Sequence, residues 1–216
     1  MIVDLAGESV TLDADRALVW RDIVVVADPH FGKDASARAH SIGIPPGTTS
    51  DDLVRLDALL ARHTARELWL LGDVFDSEFA SEPATIDALA AWRTRHDRIA
   101  MRMVAGNHDR RALALTEAAG FELLPDLAAI GPWRLSHHPQ EAPAGHVLCG
   151  HIHPGLLLKG PGRERLRLPA FILGTRRSIL PAFGGMTGLA SCELKKDERG
   201  FVIAGRILGP LHTSWT

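Results

Sequence analysis

Cysteine is scarce in this chain: Cys149 and Cys192 are the only two in 216 residues. A disulfide framework is therefore excluded as the organising principle, and a reducing interior is the expected setting. Both stand in apolar contexts and read as small core side chains rather than reactive thiols. Long hydrophobic runs are missing too. No segment approaches the ~20 apolar residues of a membrane-spanning helix, and the opening MIVDLAGESV has neither the basic nor the apolar region of a signal peptide. The expectation is a soluble, cytoplasmic protein without membrane partners. Charge of one sign is also lacking. A formal net charge of -2 argues against a uniformly basic nucleic-acid wrapper and leaves room for a local basic patch. No internal repeat, low-complexity tract or linker divides the chain. With 46% hydrophobic and 23% charged residues, the composition is that of a globular protein with one sizeable core. A single domain over 1–216 is expected.

What is present is a series of short strand-like segments. Val10–Leu12, Ala17–Trp20 and Ile23–Ala27 come first, the last a β-branched run expected to be covered on both faces. A loop rich in Pro and Gly (Gly43–Gly47) follows. Ser50 is the expected N-cap of a helix reaching about His63, with Leu53, Leu56, Leu59 and Leu60 as its apolar stripe. Leu68–Leu71 and Ile99–Val104 read as strands, with a helix opened by Pro83 between them and a short helix over Arg111–Ala119 after them. From Glu122 onward the pattern is of strands: Leu127–Ile130, Trp133–Ser136, Val147–Cys149, Arg165–Leu168, Phe171–Leu173, Ser178–Leu180 and Phe201–Leu208. A βαβα half followed by a strand-rich half predicts a mixed α/β (α+β) fold. Its expected architecture is a four-layer αββα sandwich of two mixed sheets.

Five of the strand-like runs break off at a residue able to hold a metal. Ile23–Ala27 meets Asp28-Pro-His30, and Leu68–Gly72 meets Asp73. Ile99–Gly106 meets Asn107-His108-Asp109, Trp133–Ser136 meets His137-His138, and His146–Gly150 meets His151-Ile-His153. Each piece alone is an ordinary polar turn. Together and in order they predict one sheet edge on which the side chains converge, with the composition a two-metal phosphate-ester hydrolase needs. Asn107 offers a neutral carbonyl oxygen while His108 stays free for proton transfer. Nitrogen and oxygen donors without thiolate suit Mn²⁺, Fe or Zn²⁺ and argue against an all-oxygen Ca²⁺ cage.

The set D-x-H (Asp28, His30), G-D-x-x-D (Gly72–Asp76), G-N-H-D (Gly106–Asp109), His137 and G-H-x-H (Gly150–His153) resembles the calcineurin-like metallophosphoesterase superfamily. His138-Pro139, Pro154, Leu180–Gly184 and Thr187-Gly188 further resemble its bacterial members found with a DNA ligase and a DEXH-box helicase in a DNA-repair gene cluster. Asp76 follows the general superfamily pattern, where that subgroup more often has His. The resemblance implies two divalent cations, with manganese the first expectation. Asp28, His30, Asp73 and His153 would hold one cation. Asp73, Asn107, His137 and His151 would hold the other, with Asp73 bridging and His138 just behind. His137 is preferred to His138 because it follows the strand directly. His108 would protonate the leaving oxygen or stabilise the transferring phosphoryl group, with Asp76 or Asp109 orienting it. The implied activity is hydrolysis of phosphodiesters, as a DNA-repair nuclease working with a ligase and a helicase. A small-nucleotide phosphodiesterase is the alternative, and a non-catalytic scaffold a more distant one.

Substrate signals are thinner. Arg163, Arg165 and Arg167 alternate and would line one face of a strand just after His153, with Arg176 and Arg177 nearby. A phosphodiester strand could track such a stripe. A solvated face that discourages edge pairing would look the same. Trp20, Trp69, Trp92 and Trp133 are expected in the core.

Overall fold

The computed structural model describes residues 1–76, 80, 82–112, 115–116, 119–160, 162 and 164–213. Among these described residues sixteen strands form two mixed sheets, with three α-helices. The first sheet runs in chain order: β1 (Ile2–Leu5), β2 (Glu8–Asp13), β3 (Ala17–Trp20), β4 (Ile23–Val26), β5 (Glu67–Leu71), β6 (Ala100–Val104) and β7 (Glu122–Leu124). Its first four strands are antiparallel hairpins, while β4 to β7 are parallel. Helices α1 (Lys33–Ala39), α2 (Thr48–Arg62) and α3 (Pro83–Arg95) occupy the crossovers of that parallel half.

The second sheet contains β8 (Ala128–Ile130), β9 (Trp133–Leu135), β10 (His146–Cys149), β11 (Pro154–Lys159), β12 (Arg165–Leu173), β13 (Arg177–Ile179), β14 (Ala190–Cys192), β15 (Arg199–Ile203) and β16 (Ile207–Leu211). Strand alternation explains how the layers hold together. Along β4, Val24 and Val26 face α2 and α3, whereas Ile23 and Val25 face the second sheet. That inter-sheet core also takes Trp20, Trp69, Trp133, Leu148, Phe171, Leu173 and Phe201. The apolar stripe of α2 is buried as its spacing required. Beyond the second sheet a third cluster (Val147, Cys149, Ala170, Ile172) is covered by Ala142 and Leu194 rather than by a helix among the described residues.

Several boundaries differ from expectation. Helix α2 begins at Thr48 with Gly47 as its cap, before Ser50. Thr49 is committed elsewhere, its hydroxyl accepting the Gly32 N–H at 2.9 Å. The segment before Gly43 holds a helix, α1, because the Ala-rich stretch Lys33–Ala39 has good helix formers ahead of the breakers. Strand β12 runs unbroken through Pro169, which falls where pairing passes from β11 to β13 and β15. A missing N–H costs least at such a switch of partners. Phe201–Leu208 folds as a hairpin about Gly205 rather than as one strand. Of the expected helix over Arg111–Ala119, residues 113–114 and 117–118 lie outside the described set, and Asp109–Arg111 is a 3₁₀ turn.

Candidate metal centre

In parallel strands the carboxyl ends share an edge, so whatever follows each strand is gathered there. Strands β4, β5 and β6 deliver Asp28, Asp73 and Asn107, and the parallel pair β9 and β10 delivers His137, His151 and His153. The chain turns sharply at each delivery point. Asp28, His30, Asp73, His151 and His153 all have positive φ, between 45° and 69°. Non-glycine residues adopt this region at a cost and keep it where the surroundings impose it, most often at functional sites.

Distances within the cluster are short. Asp73 Oδ2 lies 3.3 Å from His137 Nε2, 3.8 Å from His30 Nε2 and 4.0 Å from His108 Nε2. His137 Nε2 is 3.1 Å from both Asn107 Oδ1 and His151 Nδ1. His30 Nε2 faces His153 Nε2 at 3.4 Å, and His153 Nε2 is 3.7 Å from Asp28 Oδ2. Asp28, His30 and His153 form one compact donor group, and Asp28, Asp73 and His137 another. Asp28 is common to both groups, and Asp73 Oδ2 lies within 4 Å of a histidine from each, His30 and His137. His138 is exposed and reaches the cluster through ring contacts with His137 and His151.

The donor chemistry fits cations. A carbonyl can only accept, so the 3.1 Å contact of His137 Nδ1 with the Leu71 carbonyl requires Nδ1–H. Nε2 carries a lone pair in the neutral ring, although against the effect of burial Asp73 and Asp28 shift His137 upward toward its protonated form. His30 Nδ1 in turn donates to Asp76 Oδ1 at 3.0 Å, the arrangement in which a metal-ligating histidine presents its other nitrogen. In their neutral forms both rings therefore turn an Nε2 lone pair toward the centre. Asp28 Oδ1 is buried with no hydrogen-bond partner, although His137 Nδ1 lies 3.4 Å away with its proton directed at Leu71. Burial, reinforced by the neighbouring Asp73 and Asp109 charges, pushes the Asp28 carboxyl up to about 8. An unpaired buried acceptor of this kind is costly and is relieved by a cation. At Asp73 burial opposes ionisation, yet His137, the His108 main-chain N–H and His30 outweigh it and bring the carboxyl down to about 2. Burial and the nearby His30 bring His153 down to about 4, so it is a neutral ligand at pH 7.

Close approach is built into the sequence by glycine. A Cβ on Gly106 would lie 2.2 Å from Asp73 Oδ1, and one on Gly150 would lie 2.6 Å from Asp28 Oδ2.

The expected orienting carboxylates act differently. Neither the Asp76 nor the Asp109 side chain bonds His108. Asp76 Oδ1 is taken by His30 and by Lys33 Nζ at 2.7 Å, and it is the Asp76 main-chain carbonyl that accepts from His108 Nδ1. Asp109 accepts the Phe75 and Gly106 N–H groups at 2.9 and 2.8 Å, tying two metal-bearing loops together. His108 keeps a side-chain exposure of 41%, with Nε2 toward the Asp73 carboxylate.

The basic residues divide. Arg177 pairs with Val147 at the start of β10 and β13, the end remote from the metal edge, and Arg176 bonds Glu141 at 3.2 Å. Their expected contact with substrate is corrected: strand direction carries them away. Arg165 and Arg167 lie on β12, and Arg163 lies outside the described residues.

Of the supporting residues, Leu180–Gly184 was noted in the sequence only as a resemblance, and Arg16, Asp52 and Arg55 were not singled out. Leu180–Gly185 runs behind the Asp28 turn, with the Phe183 N–H donating to Ala27 O at 2.7 Å and the Gly184 N–H to Asp28 O at 3.2 Å. Arg16 donates to the Ala182 and Gly184 carbonyls, Arg55 to that of Phe183, and Asp52 accepts the Gly185 N–H. The Leu-Pro-Ala-Phe-Gly-Gly pattern was the signal for this brace, but its partners are distant in sequence.

Comparison with known proteins agrees with this centre. Residues 21–154 match the sequence model of the family described as calcineurin-like phosphoesterase. The fold is similar to the crystal structure of Pseudomonas putida nuclease MPE, with a TM-score of 0.85 and 34% identity over 96% of this chain and 98% of that one. Among curated proteins no match was found. A family match over more than half its length places the chain in the calcineurin-like phosphoesterase family of metal-dependent phosphoester hydrolases.

Proposed function

We propose that the chain is a dinuclear phosphodiesterase that cuts nucleic-acid strands. The observation that carries the choice of substrate is its whole-length likeness to a nuclease. The convergence of donors on Asp73 supports the reaction class. In this reading Asp28, His30, Asp73 and His153 hold one cation, and Asp73, Asn107, His137 and His151 hold the second. Bound there, the cations would supply Lewis acidity toward the phosphate oxygens and a water acidified to near neutral pH.

The chain's own groups do the rest. Asp73, ionised under all working conditions, serves both cation positions. His108 presents Nε2 to the open side of the centre while the Asp76 carbonyl fixes its Nδ1–H. In its protonated form it donates to the departing oxygen or neutralises the phosphoryl group. Asp76 is a positioning residue, holding His30 through its carboxylate and His108 through its carbonyl. Manganese is our first choice of metal, since the donors mix imidazole nitrogen with oxygen. The resemblance of His138-Pro139 and Leu180–Gly184 to the ligase- and helicase-associated subgroup supports a role in DNA repair beside such partners. The two free thiols suit a cytoplasmic setting. No described helix is long and apolar enough to cross a membrane.

The test is hydrolysis of single-stranded, duplex and nicked oligonucleotides beside a small chromogenic phosphodiester, with Mn²⁺ and with chelator. The expected result is metal-dependent strand cleavage, abolished in Asp73→Asn and slowed by ~10²–10⁴ in His108→Ala. Turnover of the small diester alone would remove nucleic acid as the substrate. Unchanged turnover in His108→Ala would remove that residue from the chemistry.

A further inference from the structure

The hairpin of β11 and β12 extends past the edge where the metal donors gather. Ile172 pairs with Ile179, which pairs with Cys149, the last residue of β10 before Gly150 and the two histidines. From that rung β12 continues outward, and β11, starting directly after His153, accompanies it with Gly155 opposite Pro169 and Lys159 opposite Arg165. At ~3.3 Å per residue, Arg167 and Arg165 stand roughly 17 and 23 Å beyond the rung.

Alternation fixes which way they face. Phe171 and Leu173 belong to the core between the sheets, whereas Ala170 and Ile172 belong to the far-side cluster. Residues 165, 167 and 169 share the parity of 171 and 173, so they continue the inward face above the metal edge. Leu156, Leu158 and Leu168 pack on the far-side cluster, which turns Leu157 and Lys159 to the same side as the arginines. Lys159, Arg165 and Arg167 are exposed, and no described carboxylate forms an ion pair with any of them. Arg167 lies with its Cγ and Cδ close over Gly155, two residues from His153. Such a row suits an anionic partner with regularly repeated charge.

We infer that this hairpin is an arm that tracks the phosphodiester backbone of a nucleic-acid substrate a few nucleotides from the scissile bond, through Lys159, Arg165 and Arg167. The inference rests on the nuclease reading above. Small diesters are too short to reach the arm. It therefore sets KM for polymers and leaves the chemistry of a small substrate alone.

The experiment compares the parent with Lys159→Gln/Arg165→Gln/Arg167→Gln and with Arg165→Lys/Arg167→Lys, using a ~20-nucleotide single strand and a chromogenic diester across a salt series. For the neutralised variant we expect KM for the oligonucleotide to rise at least tenfold. Its logarithmic salt slope should shallow by about two, since single strands give about 0.7 per phosphate contact. Small-diester turnover should equal the parent's, and the lysine variant should keep the salt slope. An unchanged KM and slope in a variant that still cuts the oligonucleotide would overturn the arm while the nuclease reading stands. A loss in small-diester turnover equal to that on the oligonucleotide would also overturn it, by making the residues structural. A parent chain that leaves oligonucleotides intact while cleaving the small diester would overturn the nuclease reading and the arm with it.

Discussion

Asp28 is the residue on which the centre's electrostatics turn. Its buried carboxyl has one oxygen on the His151 N–H at 2.8 Å and the other without a partner. In the metal-free fold its pKa is raised from 3.8 to about 8. The folded chain then binds the proton more tightly than the unfolded chain. The contribution of Asp28 to stability is therefore full below pH 4 and is lost as pH rises toward 8. Asp28→Asn removes the ionisation and keeps an acceptor for His151. In chelator at pH 8 the variant should therefore melt above the parent, and the difference should shrink as pH approaches 4. Added Mn²⁺ should stabilise the parent more than the variant, which keeps the ligands of the second cation alone. A variant that melts below the parent in chelator at pH 8 would show that the strain assigned to Asp28 lies elsewhere. A functional group that weakens its own empty fold is the kind of local conflict expected at an active site.

At the scale of elements, the site depends on segments far apart in sequence that hold its loops. Arg55 reaches the Phe183 carbonyl, lies over the Phe183 ring at 4.1 Å and pairs with Asp52 at 3.2 Å. This clamps Leu180–Gly185 against the turn that carries Asp28. Arg55→Met should lower metal affinity by ~10–100-fold, the usual loss when a group supporting a ligand is removed. Arg55→Lys should recover part of it, as read by metal titration with the melting curve as a control for folding. Equal affinities in all three chains would reduce the brace to packing. The strands and the order of the ligands were legible in the sequence because apolar runs ending in Asp, Asn or His are local patterns. The brace was not, since Arg16, Asp52 and Arg55 carry no local signature and acquire their roles only when α2 and the turn between β2 and β3 meet the loop after β13. Which atom of Asp76 meets His108, and what Asp109 holds instead, were not legible for a related reason. Spacing placed both near His108, but only geometry reveals that one acts there through its carbonyl and the other on backbone N–H groups. Arg176 and Arg177 looked close in sequence, and strand direction took them to the far end.

For the whole molecule, the sandwich works as a frame that brings two parallel strand sets to one edge. The first sheet supplies Asp28, Asp73 and Asn107, and the second supplies His137, His151 and His153. Metal binding should then couple the two sheets. Saturating Mn²⁺ at a hundred times its Kd would add about 2.7 kcal/mol per site. Hydrogen exchange should consequently slow in β4 and β10 together, whereas protection confined to one sheet would contradict a shared centre. The most direct measurement is the anomalous scattering of a Mn²⁺-soaked crystal. The account predicts two peaks per chain flanking the Asp73 carboxylate, one beside His30 and His153 and the other beside Asn107, His137 and His151. A single peak, or a pair that does not share Asp73, would contradict it.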